Sequence, residues 1–292
     1  MDIPNKAGWG EKWPAPAKIN LMLRIVGRRK DGYHLLQTVF QFIDLCDWLT
    51  FYPQVDGRVF LENPLPSVPE EEDLVIRAAN LLRLHTGCSE GVKIKVEKNL
   101  PMGGGLGGGS SDAATVLIVL NRLWGLNLPA SELMTLGLEL GADVPVFVFG
   151  HAAWGEGVGE RLSAIDLPEP WIVLIKPDCH VNTKEIFTSK ELTRDSKSIT
   201  IDEFLAGDAI NDCLPVVLDS YGKVKEAFDE LSSFGNSQLT GTGACVFATF
   251  FHKEDAEHAF NALLDKWDVY LSRRQVFSPL YKKLETFRFN SD

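Results

Sequence analysis

No stretch of the chain stays apolar for long. Its longest hydrophobic runs, such as Val116 to Leu120, are far too short to cross a bilayer. The start lacks the basic-then-apolar pattern of a secretory signal. Cysteine is sparse: Cys46, Cys88, Cys179, Cys213 and Cys245 are scattered, odd in number and never spaced C-x-x-C. That argues against a disulfide framework or structural zinc and fits reduced thiols in the cytoplasm. Positive charge is also short, with 29 Lys and Arg against 40 Asp and Glu and a formal net charge of −11. Nucleic acid and anionic membrane are thereby disfavoured as main partners, and any polyanionic ligand must be held by a local site working against the overall field. No repeat and, outside one glycine run, no low-complexity tract is present. What remains is a chain of 292 residues, 45% hydrophobic, able to bury a sizeable core and long enough for two domains.

The glycine run organises the rest. From Gly103 to Gly109 every residue but Leu106 is glycine, a cost in folding entropy that needs a local reason. Before it, Val92, Ile94 and Val96 alternate with Lys93, Lys95 and Glu97 as in a half-buried strand. After it, Ser110-Ser111-Asp112 offers helix-capping side chains, and Ala113 to Trp124 reads as a mostly apolar helix. Strand, glycine loop and helix together form a phosphate cradle: loop N–H groups can close on an anion, and the helix start adds the positive end of its dipole. Flexible linkers rarely sit between a periodic strand and a buried helix. A P-loop is excluded, because Gly109 and Ser110 follow Gly108 where Lys and Ser/Thr are required. The G-x-G-x-x-G spacing at Gly103, Gly105 and Gly108 is nearly automatic in such a run, and no acidic residue lies about 20 positions on, where Leu128 stands. H-R-D and D-F-G are absent too. These phosphates need positive charge from elsewhere.

Along the chain, Met1 to Pro16 reads as a loosely ordered lead-in and Ala17 to Val26 as a strand. A basic Asp31-Gly32 hairpin turn follows, then a second strand from Tyr33 to Leu45 and a strand pair over Trp48 to Phe60. Asp73 caps a helix to about Thr86, with His85 complementing the dipole at its end. Ser131 to Leu140 is a short helix stopped by Gly141. Glycine-rich turns occupy His151 to Arg161, and Trp171 to Lys176 is a strand. Helices are expected over Asp202–Leu218, Val224–Leu231 and Asp255–Lys266, with strands at Cys245–Phe251 and around Val276. Local sequence favours Lys18 as a solvated strand-edge lysine and Asp143 as the N-cap of a helix with Pro145 in its first turn. A general base beside the cradle is the other reading of Asp143. Tyr33 and His34 read locally as surface groups near a turn, and Phe187 as core.

Five segments, in this order and at these separations, carry a resemblance: Pro16 to Leu21, Asp31 to His34, Pro101 to Ser111, Gly141 to Pro145, and Gly241 to Ala244. The chain resembles the GHMP superfamily of small-molecule kinases from about residue 14 to 280. Departures are the long lead-in and Thr240 where serine is more usual. The resemblance implies an α+β, two-domain architecture: a domain like ribosomal protein S5 domain 2 over residues 1–166 and a ferredoxin-like domain over 167–292. It implies ATP, with magnesium as MgATP and no named protein ligand for the metal. ATP would lie on Pro101, Met102, Gly103, Gly104, Gly105, Leu106, Gly107, Gly108, Gly109, Ser110 and Ser111. The implied substrate is a cytidine diphosphate-linked methylerythritol, phosphorylated on its C2 hydroxyl, and the implied state a cytoplasmic monomer or weak homodimer. Asp143 would be the base, and Lys18 would hold hydroxyl, γ-phosphoryl and Asp143 in one charge network. Asn20, Tyr33, His34, Thr183, Phe187, Gly241, Thr242 and Gly243 would bind substrate, with Tyr33 and Phe187 sandwiching the base and His34, by side chain or backbone, reading its edge. Another GHMP kinase, for homoserine or a mevalonate-type alcohol, and a non-catalytic nucleotide-binding regulator remain alternatives. The Asp31 to His34 turn argues against the first, and the joint presence of Lys18 and Asp143 against the second.

Overall fold

A computed structural model of the chain describes residues 7–30, 32–66 and 68–287. The first half runs β1 (Lys12–Arg28), β2 (His34–Gln54), β3 (Val59–Leu61), α1 (Leu74–Thr86), β4 (Gly91–Glu97), α2 (Gly108–Leu123), α3 (Ala130–Leu140), α4 (Val144–Phe149), β5 (Ala153–Gly157) and β6 (Arg161–Ala164). The second runs β7 (Trp171–Lys176), α5 (Thr183–Thr188), α6 (Ile201–Leu205), α7 (Leu214–Ser220), α8 (Gly222–Leu231), β8 (Ser237–Leu239), β9 (Val246–Phe250), α9 (Lys253–Leu263), β10 (Asp268–Gln275) and α10 (Pro279–Thr286). The sheet path is β3-β4-β2-β10-β7-β9-β8, with β1 and β5 also on β2 and β6 on β5. β10 pairs with β7 over Asp268–Arg273 and then with β2 at Arg274↔Ile43 and Gln275↔Phe42, stitching the two half-sheets together. The α+β expectation holds.

β1 and β2 form one long hairpin, paired from Lys12↔Thr50 to Arg28↔His34. Asp31, expected in its turn, lies outside the described residues, as do residues 1–6 of the lead-in. From Lys12 onward the lead-in is a strand: Trp13 and Ala15 are fully buried, and apolar burial of that kind outweighs the disorder suggested by flanking prolines. Nor does the second strand end at Leu45. It carries through to pair Trp48↔Glu97 through Gln54↔Gly91 with β4. Asp47, in the gap between the two expected strands, is fully buried and accepts the N–H groups of Asn99 (2.6 Å) and Leu100 (2.8 Å).

α2 is apolar nearly all round and accordingly buried, packed against α1, α3 and α4. The helix expected over Asp202–Leu218 is broken into α6 and α7. Between them Leu23 donates its N–H to Ile210 (2.9 Å) and Asp212 donates to Leu23 (2.8 Å), so this segment spends its backbone groups on the edge of β1. Neither β8 nor α10 is expected from sequence. α10 returns to the first half, where Leu280 joins the core, the Tyr281 hydroxyl donates to Val148 and Phe287 meets Trp13 edge-on at 5.0 Å. One buried cluster fills each half, and a third lies between them, containing Ala17, Ile19, Met22, Leu106, Cys245 and Phe247.

Candidate active site

The glycine loop is clamped in that middle cluster. Leu106 is 1% exposed, a burial worth about 1.5–3 kcal/mol, and its carbonyl accepts the Lys18 N–H at 3.0 Å. From the second half, Ala244 and Cys245 donate N–H groups to the carbonyls of Gly103 (3.4 Å) and Gly104 (3.2 Å). Gly105 has φ +76°, and a Cβ there would stand 2.5 Å from the Thr240 carbonyl; Gly107 has φ +73°, with the Phe147 ring 2.9 Å from its would-be Cβ. Both positions therefore require glycine for conformation and space.

α2 begins at Gly108, inside the run, not at Ala113. Gly107 is its N-cap and makes no side-chain cap bond. Ser110, Ser111 and Asp112 thus lie within the first turns and do not cap. The Ser111 hydroxyl donates to Pro16 (2.6 Å), which ties the loop to β1 and places Ser111 in support of the cradle, away from its open face. The first N–H groups of α2 have no intrahelical acceptor and carry the positive end of the dipole.

Lys18 is 3% exposed, so the expectation of a solvated lysine fails. Local sequence could not show that a loop 87 residues away folds over this strand edge. Its Nζ donates to Asn20 Oδ1 (2.8 Å) and the Gly105 carbonyl (2.9 Å) and lies 3.3 Å from Asp143 Oδ2. Asn20 is held in turn: its Nδ2 donates to Thr38 (2.8 Å), and the Thr240 hydroxyl accepts its backbone N–H (3.0 Å). The threonine at 240 therefore keeps the hydroxyl contact expected of serine. Asp143 stands at the N-cap position of α4 but makes no side-chain cap bond. Its half-exposed carboxylate faces Lys18, which corrects the local cap expectation.

Two cavities meet at this point. One of about 450 Å³ is lined by Pro101 to Ser110 together with Leu61, Asn63, Leu74 and Lys98, all from the first half. The other, about 780 Å³, is lined from both halves: Lys18, Asn20, Arg28, Tyr33, His34, Thr38 and Asp143 from the first, and Thr183, Lys184, Phe187, Gly241 and Thr242 from the second. Gly105, Gly107 and Ser110 line both. The larger cavity is lined by the cations Lys18, Arg28 and Lys184 and by one carboxylate, Asp143, an inversion of the acidic overall charge.

At the far end of the larger cavity the His34 ring stacks on Phe187 (5.1 Å between centroids, 24° between planes), while Tyr33 is 65% exposed. Arg194 donates its Nε–H to His34 Nε2 at 3.2 Å. Burial first, then the charges of Arg194 and Arg28, hold the His34 pKa below its ordinary value. The Thr183 and Thr242 hydroxyls share a hydrogen bond (2.9 Å) across the cavity wall. Gly243 is buried behind them against Leu239 and does not line the cavity. Sequence reasoning missed Thr38, Lys98 and Arg194. Only Lys98, three residues before Pro101 at the end of an alternating strand, left a usable signal.

Behind the loop, Lys98 bridges two buried carboxylates, Asp47 and Asp112 (2.8 Å to Asp112). Asp112 Oδ1 is buried without a hydrogen-bond donor. Burial pushes the Asp112 pKa up to about 7, with Asp47 adding to the rise and Lys98 opposing it. Burial acts to lower Lys98, but the two carboxylates outweigh it and hold the ammonium above its ordinary value.

Comparison with known proteins agrees with this geometry. The profile "GHMP kinases N terminal domain" matches residues 73–151, and "GHMP kinases C terminal" matches residues 195–269. The two-domain fold is that of a GHMP kinase. The chain is 54% identical to a 4-diphosphocytidyl-2-C-methyl-D-erythritol kinase of Nitrosococcus oceani over 94% of its own length and 98% of the relative's. It is also 54% identical to the enzyme so named in Methylococcus capsulatus, over 93% and 94% of the two chains. A crystal structure of 4-(cytidine 5'-diphospho)-2C-methyl-D-erythritol kinase superposes with a TM-score of 0.80 at 31% identity, covering 90% of this chain and 99% of that one. A mevalonate kinase of Methanococcus jannaschii, at 15% identity and a TM-score of 0.65, shares the fold. The chain belongs to the 4-diphosphocytidyl-2-C-methyl-D-erythritol kinase family of GHMP kinases.

Proposed function

We propose that the chain transfers the γ-phosphoryl group of ATP to the C2 hydroxyl of 4-diphosphocytidyl-2-C-methyl-D-erythritol, in the non-mevalonate route to isoprenoid precursors. The observation that carries this reading is the position of Lys18. Its ammonium touches the cradle through Gly105 and faces Asp143, where the two cavities share their wall. In this reading the triphosphate lies on the loop N–H groups and the start of α2, in the smaller cavity. The substrate occupies the larger one, its diphosphate near Arg28 and Lys184 and its base near Tyr33, His34 and Phe187. Asp143 accepts the proton of the attacking hydroxyl, and Lys18 balances charge that develops on the transferred group, since phosphoryl transfer is mainly positioning and neutralisation.

Magnesium enters as MgATP. Among the described residues no group of three His, Cys, Asp or Glu side chains is arranged to hold a metal ion, so the triphosphate itself would supply the main ligands. We place the domain division at residues 1–166 and 167–292, in the link between β6 and β7. The five thiols are free, and no helix of the described residues is long and apolar enough to cross a membrane. We further place the enzyme in the cytoplasm, as a monomer or weak homodimer acting on a small molecule.

The test is ATP turnover against a panel containing the cytidyl substrate, its uridyl analogue, mevalonate and homoserine. The cytidyl compound should show the highest kcat/KM. Equal or better turnover of mevalonate or homoserine would overturn the substrate assignment, and no turnover of any alcohol would overturn the kinase reading.

A further inference from the structure

We propose that Thr38 is a positioning residue for phosphoryl transfer: its hydroxyl fixes the orientation of the Asn20 amide, and through it the place of the Lys18 ammonium. The inference rests on the reading above, in which Lys18 balances charge on the transferred group.

A line of hydrogen bonds leads away from the site. Lys18 Nζ donates to Asn20 Oδ1 (2.8 Å), Asn20 Nδ2 to the Thr38 hydroxyl (2.8 Å), and that hydroxyl to the Met22 carbonyl (2.6 Å). The two ends of the line cannot reverse, since an ammonium donates only and a carbonyl accepts only. The Asn20 amide therefore has to turn its oxygen to Lys18 and its NH2 to Thr38. The threonine hydroxyl, its one proton committed to Met22, meets that NH2 with a lone pair. Rotating the amide by half a turn would set its NH2 against the ammonium, donor against donor. The main chain of Asn20 is pinned separately, by its N–H to the Thr240 hydroxyl at 3.0 Å. What Thr38 adds is the direction of the side chain.

An irregular point in the hairpin brings these groups together. β1 and β2 pair Asn20↔Phe40, then Met22↔Val39 and Leu23↔Thr38, so the register shifts between Asn20 and Met22. Such a shift re-aims side chains. It leaves Asn20, Leu23, Thr38 and Phe40 together along the larger cavity, with Met22 in the core. Lys18, Asn20 and Thr38 are at most 4% exposed. At that depth water cannot stand in for a lost partner, so removing the hydroxyl leaves the amide unsatisfied. Thr38 borders the cavity, but its proton is held by Met22, and it acts through Asn20 and Lys18 without donating to the substrate.

Thr38→Val tests this, because valine keeps the shape and removes the hydroxyl. Its kcat should fall by roughly 10-fold or more, as when a catalytic group is misplaced, while KM for ATP stays within about threefold of wild type. Thr38→Ser, which restores the hydroxyl, should recover most of that loss. A double-mutant cycle with Lys18→Met, read by single-turnover phosphorylation, separates positioning from a structural role. Where Lys18 is already gone, adding Thr38→Val should slow turnover by less than about threefold. Loss of the same factor in both backgrounds would overturn the proposal, as would an unchanged kcat in folded Thr38→Val or a raised substrate KM with kcat intact. Should Thr38→Val fail to fold, nuclear Overhauser contacts of the Asn20 Nδ2 protons in the wild type decide, assigned by their loss in Asn20→Asp. Stronger contacts to the Thr38 methyl than to the Lys18 side chain support the relay, and the reverse overturns it. Lys18→Met alone tests the underlying reading. If it keeps wild-type turnover, that reading fails and the proposal with it; if it loses turnover while Thr38→Val does not, only the role of Thr38 fails.

Discussion

Replacing Asp143 by asparagine separates chemistry from architecture, because the structure allows each effect to be sized. Asparagine is isosteric, and Asp143 makes no cap bond that α4 could lose. What disappears from the fold is one ion pair to Lys18, 3.3 Å long, whose carboxylate side chain is 39% exposed. Such pairs contribute about 0–1 kcal/mol, and the amide oxygen can still face the ammonium. In a chain of this size that amounts to a melting shift of about 2–4 °C at most. The barrier is affected far more. An amide cannot take a proton at neutral pH, and removal of a general base costs about 10²–10⁴-fold, or about 3–5 kcal/mol. Rate should therefore collapse while stability barely moves. Single-turnover phosphorylation at saturating ATP and substrate, run beside a thermal melt, reads both. Turnover within about threefold of wild type would show that the carboxylate takes no proton in the rate-limiting step. A rate loss matched by a melting loss above about 5 °C would show that the position is structural.

Three further outcomes follow from the same geometry. Lys18→Met should lose both turnover and stability, since it orphans the buried Asn20 Oδ1 at about 1–3 kcal/mol and leaves the Gly105 carbonyl only the longer bond from the Thr240 hydroxyl (3.5 Å); an unchanged melt would contradict the burial argument. Gly105→Ala should destabilise the protein by forcing a side chain to φ +76° against the Thr240 carbonyl, whereas Gly109→Ala, whose added Cβ meets only Leu74 at 3.5 Å, should leave the melt unchanged or raise it. Asp112 holds its proton more tightly folded than unfolded, so the stability it contributes is full below about pH 4 and is lost as pH rises through about 7. Denaturation midpoints between about pH 4 and 7 should decline with a contribution of up to about 1.4 kcal/mol per pH unit, which Asp112→Asn should flatten; an equally steep decline in the variant would remove Asp112 as its source.

What was legible in the sequence depended on how far the cause lay from the residue. The cradle announced itself because strand, loop and helix are contiguous, and Leu74 to Thr86 could be placed from Asp73 because a cap acts within one turn. Lys18 and Asp143 could be named only through the family pattern. Read locally, each pointed to the wrong environment, since its partner is supplied by a distant segment. Asp47 drew no reading of its own and is a buried acceptor for the residues leading into the cradle, 52 and 53 positions away. Arg194 lies in a polar stretch without periodicity, 160 residues from the histidine it holds, and nothing local marks it. The break between α6 and α7 was hidden for the same reason, as the edge of β1 that competes for its backbone is remote.

The absence of a lysine after the glycines now has a physical reading. A lysine in the first turn of α2 would extend from the element that binds phosphate, and it would answer to that ligand alone. Lys18 projects instead from β1, where the hairpin fixes its backbone and Asn20 fixes its ammonium. From there it reaches Gly105, which lines both cavities, and the carboxylate of Asp143, which lines the larger one. In the proposed reaction, charge moves between the two cavities as the phosphoryl group leaves one ligand and joins the other. A cation already held at the crossing needs no rearrangement when the charge arrives, which is the condition under which a buried charge lowers a barrier most effectively. The cost is a buried ammonium that requires two neutral acceptors and a carboxylate to be tolerated. For that reason the same side chain should govern both the rate of the reaction and the stability of the fold.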